Sequence, residues 1–322
     1  MPRGRNLPRS SSRIRKLPEQ HLIFSIPSQQ LPYFNELVQA WRARHVRVTI
    51  ACHVGPPPDA RCLLNKLGSA EAVLIAGSSR RAPSTVLPGP FVEDRNGRRV
   101  PVAWLPLRTP DENRRFAATA ARVHRRPAQQ VAVALLGQWH PRYLRVTDRI
   151  ETLLCDQMPT LRWTADVIGR EDMVQALGSG LGLGLYVGHG RPVGWVGYHG
   201  TRRHHFDAWA GEPLGALISL CCRTASRQRT SLSFAEAVPL RGVAAASFGA
   251  FSDTLHTDNT RWALGLCDAL RTGAQTIGEL IVRGAPPVAR AWESYRLIGD
   301  PLAPLASECL AVARAAAVPV YP

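Results

Sequence analysis

Apolar and polar positions along this chain fall into blocks of two kinds. "HLIFSIP" (21–27) is an apolar run of strand length, "QLPYFNELVQAWRAR" spaces its apolar residues as an amphipathic helix does, and "VRVTIAC" is a second strand. "DARCLLNKLG" predicts a short helix and "AEAVLIAG" a third strand, so a βαβ rhythm is set. A Pro/Gly-rich stretch from Ser78 to Arg99 interrupts it. Beyond lie a strand "VPVAWLP", a helix "PDENRRFAATAARVHRR" opened by Pro110 and early acids, and a strand "QVAVALLG". From Pro141 a helix, the segment "LRWTADVI" and a short helix near Glu171 lead to a strand that ends at His189. A further apolar run, "LGALISLCC", ends at Cys222; the acid-capped "SLSFAEAV" and then "RGVAAASFG" follow. Strands apolar throughout are buried on both faces, which predicts an α/β fold with a mostly parallel sheet sandwiched by helices. No internal repeat is present.

Composition changes the picture little. With 322 residues, 45% hydrophobic and 20% charged, the chain can bury one large core. The expected organisation is a basic disordered tail over 1–19 and one domain over 20–322, divided into an N-terminal sub-domain, 20–140, and a catalytic sub-domain, 141–322. No run approaches the ~20 apolar residues of a membrane span, and the N-terminus lacks the apolar core of a secretory signal. No membrane association and a cytoplasmic location are therefore expected. Seven cysteines, scattered and without a C-x-x-C pair, predict reduced thiols rather than a disulfide framework or a zinc knuckle.

The net charge of +16 raises nucleic-acid binding, because basic side chains release counterions from phosphates. Only Lys16 and Lys66 are lysines, and the arginines are spread along the whole chain. The one dense block is Arg3, Arg5, Arg9, Arg13, Arg15 and Lys16, in the tail. An arginine-rich nucleic-acid-binding protein is therefore the weaker reading of the charge.

Functional groups of an open α/β sheet gather at the carboxyl ends of its strands, where His189 and Cys222 both fall. Glycines on either side of His189 let the backbone turn and approach a ligand. A thiol and an imidazole on one rim are the minimum for nucleophilic acyl transfer. A strand-end cysteine that is merely a small buried hydrophobe is the plainer reading of Cys222 taken alone.

"LYVGHGRPVGWV" followed by "ISLCCRTA", with 33 positions from His189 to Cys222, resembles the gingipain-type cysteine peptidases of the caspase-like clan. "VLIAGSS", "FVEDRNGRRVPVAWLP", "SFAEAVPLRGVAAASFGA" and "YRLIGDPLAPL" carry the likeness over roughly residues 63 to 305. The resemblance implies a caspase–haemoglobinase-like α/β sandwich with a Cys/His dyad. His189 is then the dyad histidine, Gly190 an oxyanion-hole N–H donor and Cys222 the nucleophile, while strand alternation turns Cys221 into packing. Ala225 departs from the glycine that the family often shows three positions past the nucleophile, which puts the loop shape there in question.

Trp195 is a candidate wall of the specificity pocket or else plain core. Glu93 and Asp94 are candidates to hold a basic substrate side chain or else solvated turn carboxylates. "HGTRRHH", with Cys221 and Cys222, matches no standard ligand spacing, so neither metal nor cofactor is expected. The polar segment "RTASRQRTS" (223–231) is expected to be an exposed, mobile loop, in which Arg223, Arg227 and Arg229 are self-processing sites by resemblance or else simply solvated; "GDP" (299–301) is expected to be a turn. The resulting expectation is a cysteine endopeptidase acting on a protein or peptide substrate, controlled by a protein partner, a ligand or processing. The same residues would also suit a catalytically inactive scaffold of this fold, or an enzyme acting on a non-peptide acyl group.

Overall fold

The apolar blocks become strands wherever helices cover them. The computed structural model describes residues 20–78, 87–127 and 131–306; the tail, 1–19, and Cys309 lie outside them. The first elements are β1 (His21–Pro27), α1 (Asn35–Ala43), β2 (Arg47–His53), α2 (Ala60–Leu67), β3 (Ala72–Ser78), β4 (Phe91–Glu93), β5 (Arg99–Leu107), α3 (Pro110–Arg125), β6 (Val133–Gly137) and α4 (Pro141–Leu154). Next come β7 (Thr160–Arg162), α5 (Arg170–Leu177), β8 (Leu183–Val187), the hairpin β9 (Gly190–Arg191) and β10 (Gly194–Trp195), the single turn α6 (Gly197–Gly200) and β11 (Leu214–Leu220). The chain continues through α7 (Phe234–Leu240), β12 (Ala244–Ala250), α8 (His256–Arg271), α9 (Ile277–Gly284), α10 (Ala289–Glu293) and β13 (Tyr295–Gly299).

Local chemistry accounts for several boundaries. Thr109 accepts from the Glu112 N–H and Pro110 opens α3, while arginines and a histidine close its last turn. Ser233 and Glu236 form a capping box at the start of α7. Every residue of β8, β11 and β12 is buried, as sandwiched strands require. β2 differs, its residues being mostly half-exposed; it is an edge strand.

The main sheet runs in the order β2-β1-β3-β5-β13-β12-β11-β8-β6-β7, with β4 hairpinned onto β5. It consists of two parallel halves. β2, β1, β3, β5 and β13 run one way; β12, β11, β8, β6 and β7 run the other, and the reversal is the antiparallel β12–β13 pair. The expected division at residue 140 is not how the sheet divides. β6, which precedes 140, sits between β8 and β7, whereas β13, near the end of the chain, pairs with β5. Apolar periodicity reports burial and is blind to strand direction, so the reversal has no sequence signal.

"GDP" does more than turn the chain. Asp300 is fully buried and accepts from Trp41 Nε1 on α1 at 3.0 Å and from the Leu302 N–H at 2.9 Å, while the ring of His124 on α3 lies 2.7 Å away. This buried polar knot ties the first helix to the last strand. Groups so deep stay only when hydrogen-bonded.

Candidate active site

Three neighbouring strands bring the site together. β6, β8 and β11 are parallel and adjacent, so the residues just past their carboxyl ends share one rim. Leu220 pairs with Val187, which sets Cys222 and His189 each two residues beyond a matched position. β6 contributes Gln138 and, through the first turn of α4, Tyr143.

The backbone of His189 is held from two sides. Its N–H donates to Gln138 Oε1 at 2.9 Å, and its carbonyl accepts from the Tyr186 hydroxyl at 3.0 Å and from the Val196 N–H at 3.0 Å. Its ring lies edge-on to Tyr143, with centroids 5.3 Å apart and planes at 80°, and the Tyr143 hydroxyl is 3.0 Å from Nε2. Both flanking glycines are required by close approach. A Cβ at Gly188 would overlap the Tyr186 hydroxyl; one at Gly190 would overlap the Cys222 carbonyl oxygen and come within 2.6 Å of the Cys221 sulfur.

The two cysteines differ completely in surroundings. Cys221 is 0% exposed and packs among Tyr186, Trp195 and Phe234; burial pushes its thiol well above the ordinary range, and the charge of Cys222 adds to the shift. Cys222 is half-exposed. Its Sγ accepts from the Thr254 N–H at 3.4 Å and lies 3.6 Å from Thr254 Oγ1. Arg223, the next residue, takes a left-handed φ of 61°, a conformation that costs a non-glycine residue on the order of 1 kcal/mol. The turn is fixed by the Arg223 N–H on the Ser252 carbonyl at 3.1 Å and the Ala225 N–H on the Ala250 carbonyl at 2.8 Å. Ala225 is accommodated: its methyl packs in a small cluster with Ala235 and Ile298.

Histidine and arginine also line this rim. His256, at the start of α8, packs edge-on against Tyr143 at 5.7 Å. Burial lowers its pKa, and the positive charges of Arg142 and Arg145 act the same way. Burial raises Tyr143 above the usual phenol range; Arg142 opposes this, and Cys222 and Cys221 reinforce it.

Several expected site residues are used otherwise. Trp195 is 2% exposed, stacks on Tyr186 at 4.3 Å and donates Nε1–H to Ser219 Oγ at 2.9 Å. It is packing beneath the hairpin, although its edge helps to line a recess of about 220 Å³ with Arg191, Val193, His199 and Arg202. Asp94 is consumed by its own turn, accepting from the Asn96 and Arg98 N–H groups at 2.9 and 3.0 Å and from Arg98 Nε at 3.2 Å. Glu93 pairs with Arg99 at 3.9 Å. Both lie on the same rim as His189, but β12 and β13 separate β5 from β11, a distance of roughly 14 Å at ordinary strand spacing.

The loop after Cys222 is not the mobile segment its polarity predicts. Thr224, Ala225 and Ser226 are buried, Arg223 pairs with Asp253, and Arg227 reaches the fully buried Glu236, with Nε 3.0 Å from each carboxylate oxygen. Of the three arginines only Arg229 is exposed. Polar composition reports nothing about partners that lie dozens of residues away.

The model of peptidase family C25 matches residues 112–306. The chain belongs to peptidase family C25. It is thus a cysteine endopeptidase of the gingipain type, with the caspase-like sandwich that the resemblance implies. Among solved structures it is similar to the Arg-specific cysteine proteinase gingipain R, with a TM-score of 0.72 and 14% identity over 89% of this chain and 78% of that one. It is also similar to the complex of Porphyromonas gingivalis RgpB pro- and mature domains, with a TM-score of 0.70 and 14% identity over 89% and 80%. A third structure, of a protease, aligns with a TM-score of 0.63 and 12% identity over 89% and 78%. No curated protein sequence matches.

Proposed function

We propose that Cys222 is the nucleophile of this C25 peptidase and His189 its proton carrier. The observation that carries the reading is the level ending of β8 and β11, which sets a half-exposed thiol and an imidazole on one rim with Gly190 against the Cys222 backbone. His189 takes the Cys222 proton, and the resulting thiolate attacks the scissile carbonyl carbon. The carbonyl π electrons move to oxygen, which the N–H groups of Gly190 and Cys222 hold. As the tetrahedral intermediate collapses, the C–N bond breaks and His189 protonates the departing amine, leaving a thioester on Cys222. Water then adds with His189 as base, releasing the acid and restoring the thiol. The chemistry calls for no metal or organic cofactor.

The contacts of Sγ with Thr254 support a controlled enzyme, because the thiol must turn from Thr254 to meet substrate. The substrate is a protein or peptide, and a protein partner is the controlling element we favour. The free thiols of all six described cysteines support a reducing, cytoplasmic compartment.

A thiol-reactive peptidyl probe tests the assignment. Wild type and Cys221→Ala should be labelled and Cys222→Ala should not; equal labelling of wild type and Cys222→Ala refutes it.

A further inference from the structure

Clamps of two kinds meet at His189. Gln138, Tyr186 and Val196 hold its backbone, and these contacts leave the imidazole free to rotate. Ring orientation therefore needs a separate cause, and among the described residues the side-chain hydrogen bond to the ring comes from Tyr143.

We propose that Tyr143 is the positioning residue of the dyad: its phenol pins His189 by Nε2 and so leaves Nδ1 as the nitrogen that exchanges the catalytic proton. The inference rests on the reading that His189 carries that proton. α4 begins directly after β6, the strand beside β8, with His140 as its N-cap and Pro141 in its first turn, so Tyr143 enters the rim on a short, rigid connection. Its ring is buried, with 6% exposed, and lies between His189 at 5.3 Å and His256 at 5.7 Å, edge to face with both. Walled in on both sides, the phenol has one direction in which to aim its oxygen.

The hydroxyl suits both protonation states of the ring. A neutral imidazole donates Nε2–H to the phenol oxygen and keeps the Nδ1 lone pair for the incoming proton; an imidazolium keeps the same bond and carries the exchangeable proton on Nδ1. Burial holds the phenol above its ordinary pKa, with Arg142 opposing and Cys222 and Cys221 reinforcing the shift, so the oxygen that meets Nε2 stays a neutral hydroxyl. Tyr143 need not touch the substrate.

The test is Tyr143→Phe in the full chain, which removes one oxygen and keeps the ring packing. Histidine ¹⁵N spectra of the wild type should show the Nε2–H tautomer of His189, and Tyr143→Phe should shift the tautomer balance. With a peptide substrate kcat should fall about 10- to 100-fold with KM nearly unchanged, the signature of lost orientation rather than lost binding. An unchanged tautomer in Tyr143→Phe overturns the proposal whatever the activity does, and so does an unchanged kcat in an active preparation. A shifted tautomer together with peptidyl-probe labelling that is independent of Cys222 would uphold the positioning of the ring and refute the Cys222 assignment instead.

Discussion

The two rims of the sheet are built alike and differ in chemistry. At one rim the parallel strands β1, β2 and β3 end around a crevice of about 1040 Å³, lined among others by Pro27, His53, Pro56, Pro57 and Trp104. At the opposite rim β6, β8 and β11 end beside a recess of only about 220 Å³. The larger hollow gathers prolines and a histidine whose Nε2 faces the Ala76 carbonyl at 3.2 Å. The rim that holds the smaller one carries a thiol, an imidazole and a phenol at the ends of β11, β8 and β6, with two close-packed glycines beside the imidazole. Size reports where packing is loose, whereas function follows converging polar groups.

The largest effect should separate the rims outright. His189→Ala should lower kcat/KM by about 10⁴-fold or more, while His53→Ala, in the bigger crevice, should leave it unchanged. Parallel peptide-cleavage assays check this, and an equal loss in both variants would erase the distinction between the rims.

The next effect sharpens the contrast by loosening one rim. Glu236→Ala leaves the Arg227 guanidinium in its buried site without its carboxylate and removes half of the α7 capping box. A loss of about 3–5 kcal/mol is expected, as for other broken buried pairs, read as a lower urea midpoint. Loop 223–232 should become susceptible to added trypsin, whereas the turn around Asp94 should not change.

The smallest effect concerns pH. His256 has a lowered pKa in the folded protein, so the unfolded chain binds its proton first. Its contribution is fully present above the ordinary value of 6.5 and is lost as pH falls toward the lower folded value. Melting temperature should drop more steeply for wild type than for His256→Asn on acidification below about 6.5; identical slopes would mean that the ring makes no difference to acid stability.

How much of the site is legible in the sequence depends on distance along the chain. His189 and Cys222 can be found because each ends its own apolar run, and the strand-end rule needs only local pattern. Gln138 and Tyr143 cannot, since their bonds to His189 span 51 and 46 positions; a strand leading straight into "GQWHPRY" is the one hint of them. Thr254 lies 32 positions from Cys222, in a stretch with no element pattern of its own. Glu93 and Asp94 mislead for the converse reason, because carboxylates with an arginine or a backbone N–H two to six residues along the same hairpin are more simply satisfied at home.

The place of β13 also bears on how the molecule comes into being. Among the described residues it is the last strand in sequence, yet it is the seam through which β5 meets β12. Chain emerging from the ribosome therefore carries two unjoined half-sheets until residues 295–299 arrive, and pairings of such long range are the slow ones. The half-sheet that bears Cys222 therefore keeps an open β12 edge until residues 295–299 arrive, and an unpaired edge of that kind invites mispairing.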